Sequence, residues 1–195
     1  MSRAYLEQKE KIERICGHKR VRGTLEYISA EGRYPAFTGT GSKYFEAGEK
    51  YFEALLEDLK NAEHFIFLEY FIIKKSRLWD EIFEILRQKS ENGVEIRIIY
   101  DDIGSINHLP RSFHKKLRKA GISVVNFNPM RPFLSLVYNN RDHRKICVID
   151  GYIGYTGGVN IGDEYVNVKT RFGHWKDNGV RIEGEAVWSF TIMFL

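Results

Sequence analysis

The sequence contains only two cysteines, Cys16 and Cys147, in 195 residues. They show neither the paired spacing of a zinc site nor the framework of a disulfide-stabilised fold, so a reducing compartment is the simpler interpretation. The six histidines form no zinc pattern either. We therefore predict no metal site and no cofactor.

Long apolar runs are also missing. No uninterrupted apolar stretch approaches the roughly 20 residues that span a bilayer, and the N-terminus lacks the apolar core of a secretory signal. These absences predict a chain without a membrane-spanning segment. Lys and Arg number 30 against 26 acidic residues, and this net charge of +4 favours anionic partners only mildly. Phosphate-bearing lipid and nucleic acid both fit that charge.

The pattern of apolar residues alternates between helical and strand periods. It predicts a leading helix and loop over 1–43, followed by a domain over 44–195. Within that domain, the short apolar strands alternate with amphipathic helices, which indicates an α/β fold with a mixed, largely parallel β-sheet flanked by helices. Helices are expected at 44–62, 78–88 and 186–195, and strands at 64–73, 94–100, 122–127, 146–149 and 152–156.

Several polar positions leave two interpretations open. Glu69 interrupts an apolar strand, so its carboxylate must pair, become protonated or lie at an accessible edge. Asp101 and Asp102 follow a strand, where carboxylates either cap a turn or contact a ligand. The basic segment 111–119 suits phosphate groups or a solvated helix face, and segment 129–140 suits shallow lipid insertion or a loop over the site.

The densest cluster of chemically useful residues lies between Asp142 and Asn160. Side chains in a strand alternate between faces, so His143 and Lys145 should project together. Cys147 would share that face, where a packed thiol and a reactive one are both conceivable. Asp150-Gly151 is a two-residue hairpin signal, and Asp150 therefore also fits a turn.

The spacing His-x-Lys-x-x-x-x-Asp, followed by Gly-Gly-x-Asn, resembles the catalytic signature of the phospholipase D superfamily. The surrounding sequence is similar to the N-terminal catalytic half of bacterial cardiolipin synthases. Supporting matches lie at 67–70, 100–105, 127–129, 160–165 and 175–177. The resemblance covers about 44–195 and includes one such motif, whereas related enzymes usually carry two in one chain.

This resemblance implies roles for individual residues. His143 would attack phosphorus to form a phosphohistidine, and a second histidine from another motif would protonate the leaving alcohol. Lys145, Asn160 and the backbone at Gly157 and Gly158 would bind the phosphoryl oxygens. Asp150 would secure the local geometry of the catalytic motif, and Asp177 would orient the histidine.

The implied activity is that of a phosphatidyltransferase, which converts two phosphatidylglycerol molecules into cardiolipin and glycerol. Its partners would be an anionic phospholipid, the membrane surface on the cytoplasmic side, and a second catalytic half or a second copy of the chain. The final helix, 186–195, would be buried against that partner half. Two alternatives remain: a homodimeric single-motif phosphodiesterase or nuclease, which would bind nucleic acid, and a non-catalytic lipid-binding fragment.

Overall fold

The computed structural model describes residues 3–130, 140–170 and 173–195. Most of segment 129–140, for which lipid insertion was one interpretation, lies outside these residues. The described strands form one seven-stranded sheet, and its order is β1-β7-β6-β5-β2-β3-β4. The strands are β1 (Gly41–Phe45), β2 (Phe65–Tyr70), β3 (Glu95–Asp101), β4 (Ser123–Phe127), β5 (Lys145–Ile149), β6 (Ile153–Gly157) and β7 (Gly179–Glu183).

The sheet is mixed, as predicted, but its parallel part is small. β2 pairs in parallel with β3, and β3 with β4. The remaining neighbours, from β2 through β5, β6 and β7 to β1, are all antiparallel. The expectation of a largely parallel sheet was therefore wrong outside β2–β4. A hairpin joins β5 to β6, and such short connections produce antiparallel pairs.

Helices cover both faces of the sheet. The described helices are α1 (Arg3–Ile15), α2 (Lys19–Glu31), α3 (Gly48–Asn61), α4 (Arg77–Glu91), α5 (Asp102–Ser105), α6 (Phe113–Lys119) and α7 (Val187–Phe194), with a short 3-10 helix at Asp163–Val166. The larger core lies under α3, α4 and α6, and a smaller one lies under α7. In α3, Tyr51, Phe52, Leu55 and Leu59 recur at helical spacing and are buried.

The first 43 residues contain more structure than one helix and a loop. α1 packs against α2, and β1 begins at Gly41 and forms an edge strand beside β7. The helix predicted from residue 44 begins at Gly48, since Tyr44 and Phe45 belong to β1. The sequence Gly-Ser-Lys has little strand propensity, so pairing with β7 must decide this conformation.

α7 packs on the sheet of its own chain. Its Val187 and Phe194 join Phe67, Ile146 and Val148 in the smaller core, and the Phe194 and Phe67 rings stack with centroids 4.6 Å apart. The opposite face of α7 exposes Trp188, Ile192 and Leu195. Among the described residues, none of the helices has the length and apolarity to cross a membrane.

Candidate active site

β5 carries the motif into the middle of the sheet, between β2 and β6. His143 lies two residues before β5 and is exposed, whereas the Lys145 side chain begins the strand and is only 4% exposed. Lys145 Nζ donates a hydrogen bond to His143 O at 2.6 Å and lies 3.2 Å from His143 Nδ1. The structure thus places an accessible imidazole beside a buried amine.

Phe71 forms an apolar wall for this pair, and sequence reasoning missed it. Its ring centroid lies 4.6 Å from that of His143 and 5.3 Å from Lys145 Nζ. Desolvation lowers the pKa of Lys145, and the charges of Asp142 and Asp177 partly oppose that decrease. Phe71 lies within the apolar run 64–73, where nothing in the sequence distinguishes it from a core residue.

The Gly-Gly-x-Asn segment follows β6. Asn160 is 7% exposed, and its Oδ1 accepts a hydrogen bond from the Ile72 backbone N–H at 3.0 Å. A Cβ atom added at Gly158 would lie 2.1 Å from Asp177 Oδ1. Glycine at this position therefore permits the Asp177 carboxylate to pack directly on the backbone.

Asp177 contributes charge to the site from the residues just before β7. Its Oδ1 accepts a hydrogen bond from the Asn178 N–H at 2.9 Å, and its charge acts on Lys145. Within the described residues, no hydrogen bond joins Asp177 to His143. The contact expected between this carboxylate and the imidazole is thus not formed in this conformation.

Asp150 lies at the other end of β5 from His143, outside this cluster. Its carboxylate accepts hydrogen bonds from the backbone N–H groups of Glu63, His64 and Phe65 at 2.7–2.8 Å. Its φ of 53° is left-handed, as a tight hairpin turn requires. The structure therefore gives Asp150 the turn role, in which it ties the β5–β6 hairpin to the start of β2.

A second group of ionisable residues lies behind the nucleophile candidate. Glu69 in β2 is fully buried, and Arg144 Nη2 lies 2.6 Å from its Oε1. Arg144 also contacts Asp142 Oδ1 through Nε at 3.2 Å and donates to Met193 O of α7 at 2.7 Å. Glu69 therefore lies against Arg144 and is not at an accessible edge.

Glu69 and Asp142 also interact with each other. Burial, and then the neighbouring Asp142 carboxylate, raise the pKa of Glu69 to about 8. Despite the short distance to Arg144, neither Glu69 oxygen has a hydrogen bond of regular geometry within the described residues, and nor does Asp142 Oδ2. With its pKa raised, a protonated Glu69 can donate a hydrogen bond to Asp142.

Asp101 caps α5, as one of the two interpretations predicted, whereas Asp102 makes longer-range hydrogen bonds. Asp101 accepts hydrogen bonds from the N–H groups of Gly104 at 3.0 Å and Asp142 at 2.9 Å, and Arg141 Nη1 lies 3.3 Å from it. The Asp102 carboxylate accepts hydrogen bonds from the Asn126 side-chain amide and from the Met130 N–H. These bonds fix the chain that leads into His143.

Two other expectations concern reactive thiols and metals. Cys147 is fully buried, and burial raises the pKa of its thiol well above the usual value, so the packed interpretation is confirmed. Across 3–130, 140–170 and 173–195, no group of three or more His, Cys, Asp or Glu side chains is arranged to hold a metal ion.

The fold has relatives among solved structures. A phospholipase D family member, Nuc from Salmonella typhimurium, superimposes with a TM-score of 0.58 at 16% identity and covers 80% of this chain and 91% of its own. At this identity the similarity defines the fold, which is that of the phospholipase D family.

Sequence comparison then defines the family more closely. The family described as "Cardiolipin synthase, PLD-like domain" matches residues 55–187. Cardiolipin synthase from Alkalihalophilus pseudofirmus is 38% identical over 187 residues, and that from Oceanobacillus iheyensis is 41% identical over 172. The chain belongs to this family, and the resemblance inferred from the motif is confirmed. The alignments cover 95% and 88% of this chain but only 37% and 36% of those relatives.

Proposed function

We propose that the chain is one catalytic half of a phosphatidyltransferase that converts two molecules of phosphatidylglycerol into cardiolipin and glycerol. The observation that carries the proposal is the exposed His143 imidazole, 3.2 Å from the nearly buried Lys145 Nζ. Relatives named cardiolipin synthase support the choice of substrate. The low dielectric around Lys145 would strengthen its attraction for phosphoryl oxygens.

In the first chemical step, His143 Nε2 forms a bond to phosphorus while the bond from phosphorus to the glycerol oxygen breaks. Attack by Nε2 requires the ring proton on Nδ1, yet Lys145 Nζ faces Nδ1 in this conformation. We infer that Nζ turns toward a phosphoryl oxygen when substrate binds. The His143 Nδ1–H then donates a hydrogen bond to the Asp177 carboxylate, which orients the ring.

The proton for departing glycerol must come from a second acid. A histidine of a second half, or of a second copy of the chain, would supply it. The same group would then take the proton from the hydroxyl of the second phosphatidylglycerol, whose oxygen attacks phosphorus and releases His143. Asn160 and the N–H groups of Gly157 and Gly158 would complete the phosphate cradle, with no metal required.

The partner half needs a surface on which to dock. Trp188, Ile192 and Leu195 recur at helical spacing along the exposed face of α7. α7 also touches the nucleophile strand β5 and holds Arg144 through Met193 O. A partner seated on this face would lie beside the site, which fits its assembly from two halves at the cytoplasmic membrane surface.

Purified protein assayed on phosphatidylglycerol vesicles and on nucleic acid tests the proposal, with and without a supplied second half. Cardiolipin and glycerol formed in equal amounts, and lost in His143→Ala, are the expected result. Cleavage of nucleic acid without cardiolipin would instead support the homodimeric phosphodiesterase. Lipid binding without turnover in any assembly would reduce the chain to a lipid-binding module.

A further inference from the structure

Positive charge is concentrated in one stretch of the chain. Residues 103–141 contain seven of the 30 Lys and Arg residues and none of the 26 acidic ones. The rest of the chain therefore carries 23 basic and 26 acidic residues and is slightly acidic. This single stretch makes the net charge positive.

The described part of this stretch presents its cations to solvent. In α6, Phe113 and Leu117 are buried and anchor the helix, whereas Lys115, Arg118 and Lys119 are exposed. None of these three forms an ion pair among the described residues. Some other surface cations do have acidic partners, as in the pairs of Arg87 with Glu84 and Glu91. The α6 charges remain available to an external anion.

Exposed aliphatic side chains precede these cations in the chain. Ile103 is 36% exposed and Ile106 is 41% exposed, and both project from α5 or its end. Arg111, also exposed, connects this region to α6. Cations beside exposed aliphatic groups are typical of surfaces that insert shallowly beneath anionic headgroups. Single-stranded nucleic acid instead prefers aromatic platforms, which isoleucine does not provide.

Hydrogen bonds link this surface to the catalytic edge of the sheet. Tyr100 Oη and His114 Nε2 lie 2.7 Å apart and join the end of β3 to α6. Asp101, the last residue of β3, accepts the N–H of Asp142, which precedes His143. The end of β3 therefore contacts both α6 and the residue that precedes His143.

We propose that the α5–α6 surface, defined as Ile103, Ile106, Arg111, Lys115, Arg118 and Lys119, docks on an anionic phospholipid bilayer. It then presents the His143 edge to the headgroups. The proposal rests on the proposed function for the lipid substrate, whereas the binding step can be measured without turnover. Each cation near an anionic surface contributes roughly a fivefold increase in partition at low salt.

Vesicle sedimentation tests the surface. The probes are phosphatidylcholine vesicles with and without phosphatidylglycerol, and the variant combines Lys115→Gln, Arg118→Gln and Lys119→Gln. A matched control combines Arg20→Gln, Lys50→Gln and Lys60→Gln, which removes the same charge from other exposed positions. We expect the α6 variant to lose about 100-fold in partition onto the anionic vesicles, and the control to lose far less. Equal losses in the two variants, or equal binding to both kinds of vesicle, would overturn the proposal.

Further measurements separate this surface from the chemistry. Ile103→Ser with Ile106→Ser should weaken vesicle binding even at high salt, because apolar insertion is not screened. His143→Ala should bind vesicles as the wild type does. In the assembled enzyme, the α6 variant should keep its turnover of dissolved short-chain phosphatidylglycerol while losing turnover of vesicles. If the α6 variant loses oligonucleotide binding but keeps vesicle binding, the surface serves nucleic acid and the proposal fails.

Discussion

At the scale of single residues, two neighbouring side chains have opposite environments. His143 is accessible to a substrate, and Lys145 is withdrawn beneath it beside Phe71. Burying an amine costs free energy, so a fold that retains one near a histidine offers a preorganised cation for a phosphoryl group. At both positions, substitutions should therefore lower turnover strongly and change stability little.

His143→Ala should abolish phosphoryl transfer and change the free energy of unfolding by only about 0.5 kcal/mol, because the side chain is exposed. Turnover and denaturant unfolding, measured on the same preparation, check both parts. Equal turnover by wild type and the folded variant would refute the assignment.

Lys145→Met should lower turnover by about 100-fold to 1,000-fold while leaving thermal stability near that of the wild type. Methionine fills a similar volume and removes a poorly solvated charge. Lys176→Met is the matched control, because Lys176 is exposed and adjoins Asp177. Parallel losses of turnover and stability at Lys145 would indicate a structural lysine.

Glu69 should make stability depend on pH. Its folded pKa, about 8, exceeds the usual 4.5, so the folded state holds a proton that the unfolded state releases as pH rises between those values. Stability should therefore fall from about pH 5 to about pH 8, by at most about 1.4 kcal/mol per pH unit. The pKa of Asp142 is lowered, so its own contribution is lost only at more acidic pH.

Urea unfolding across this pH range, for wild type and Glu69→Gln, measures the effect. The variant should lose the slope. Glu84→Gln is the control, since the pKa of that exposed carboxyl is about 2 and it stays ionised throughout the window. An unchanged slope in Glu69→Gln would show that the buried carboxyl is not the titrating group.

At the scale of elements, the Asp150 carboxylate joins the β5–β6 hairpin to the start of β2. Asp150→Ala should cost on the order of 2 kcal/mol, because three backbone N–H groups lose their acceptor. Asp150→Asn should recover much of that loss, since asparagine keeps an acceptor oxygen and tolerates a left-handed φ. Urea unfolding and turnover per folded molecule are the measurements. Wild-type stability with lost turnover in Asp150→Ala would restore the catalytic interpretation.

The elements most visible in the sequence were those with strong periodicity. α4 extends from Arg77 to Glu91 around the predicted core 78–88, and β3 matches its apolar run within a residue. β1 was not predicted, because its Gly-Ser-Lys sequence forms a strand only where β7 supplies a partner. The direction of β5 also depends on a nonlocal pairing with β2, which no local pattern specifies.

The site was predictable to the extent that its residues are close in sequence. His143 and Lys145 are two residues apart, so the sequence already places them together, although His143 precedes β5. Glu69 in β2 and Phe71 just after it lie some 70 residues earlier, so only the folded sheet brings them to the motif. The hydrogen bond from Arg144 to Met193 O of α7 could not be predicted from the sequence either.

At the scale of the whole molecule, the central question is assembly. The chain aligns with 37% of the length of a cardiolipin synthase, and its motif supplies one histidine for a reaction proposed to need two. An isolated monomer should therefore have little turnover. If a second copy completes the site, specific activity should rise with the dimer fraction as concentration increases.

Sedimentation and activity over one concentration range, with and without a supplied second half, distinguish the two arrangements. If the partner is a different half, dilution should matter little and adding that half should matter greatly. A substitution on the exposed face of α7, Ile192→Glu, should reduce assembly and activity together. Robust turnover by a demonstrated monomer would contradict the two-histidine account.

The most direct test is to trap the covalent intermediate in the assembled protein. Phosphatidylglycerol labelled in its phosphate is mixed with the complex, the reaction is quenched, and the labelled residue is located by peptide mass spectrometry. The account predicts an acid-labile, base-stable phosphatidyl adduct on His143 that disappears in His143→Ala. Cardiolipin formed with no adduct on His143, or with the same yield in His143→Ala, would contradict it.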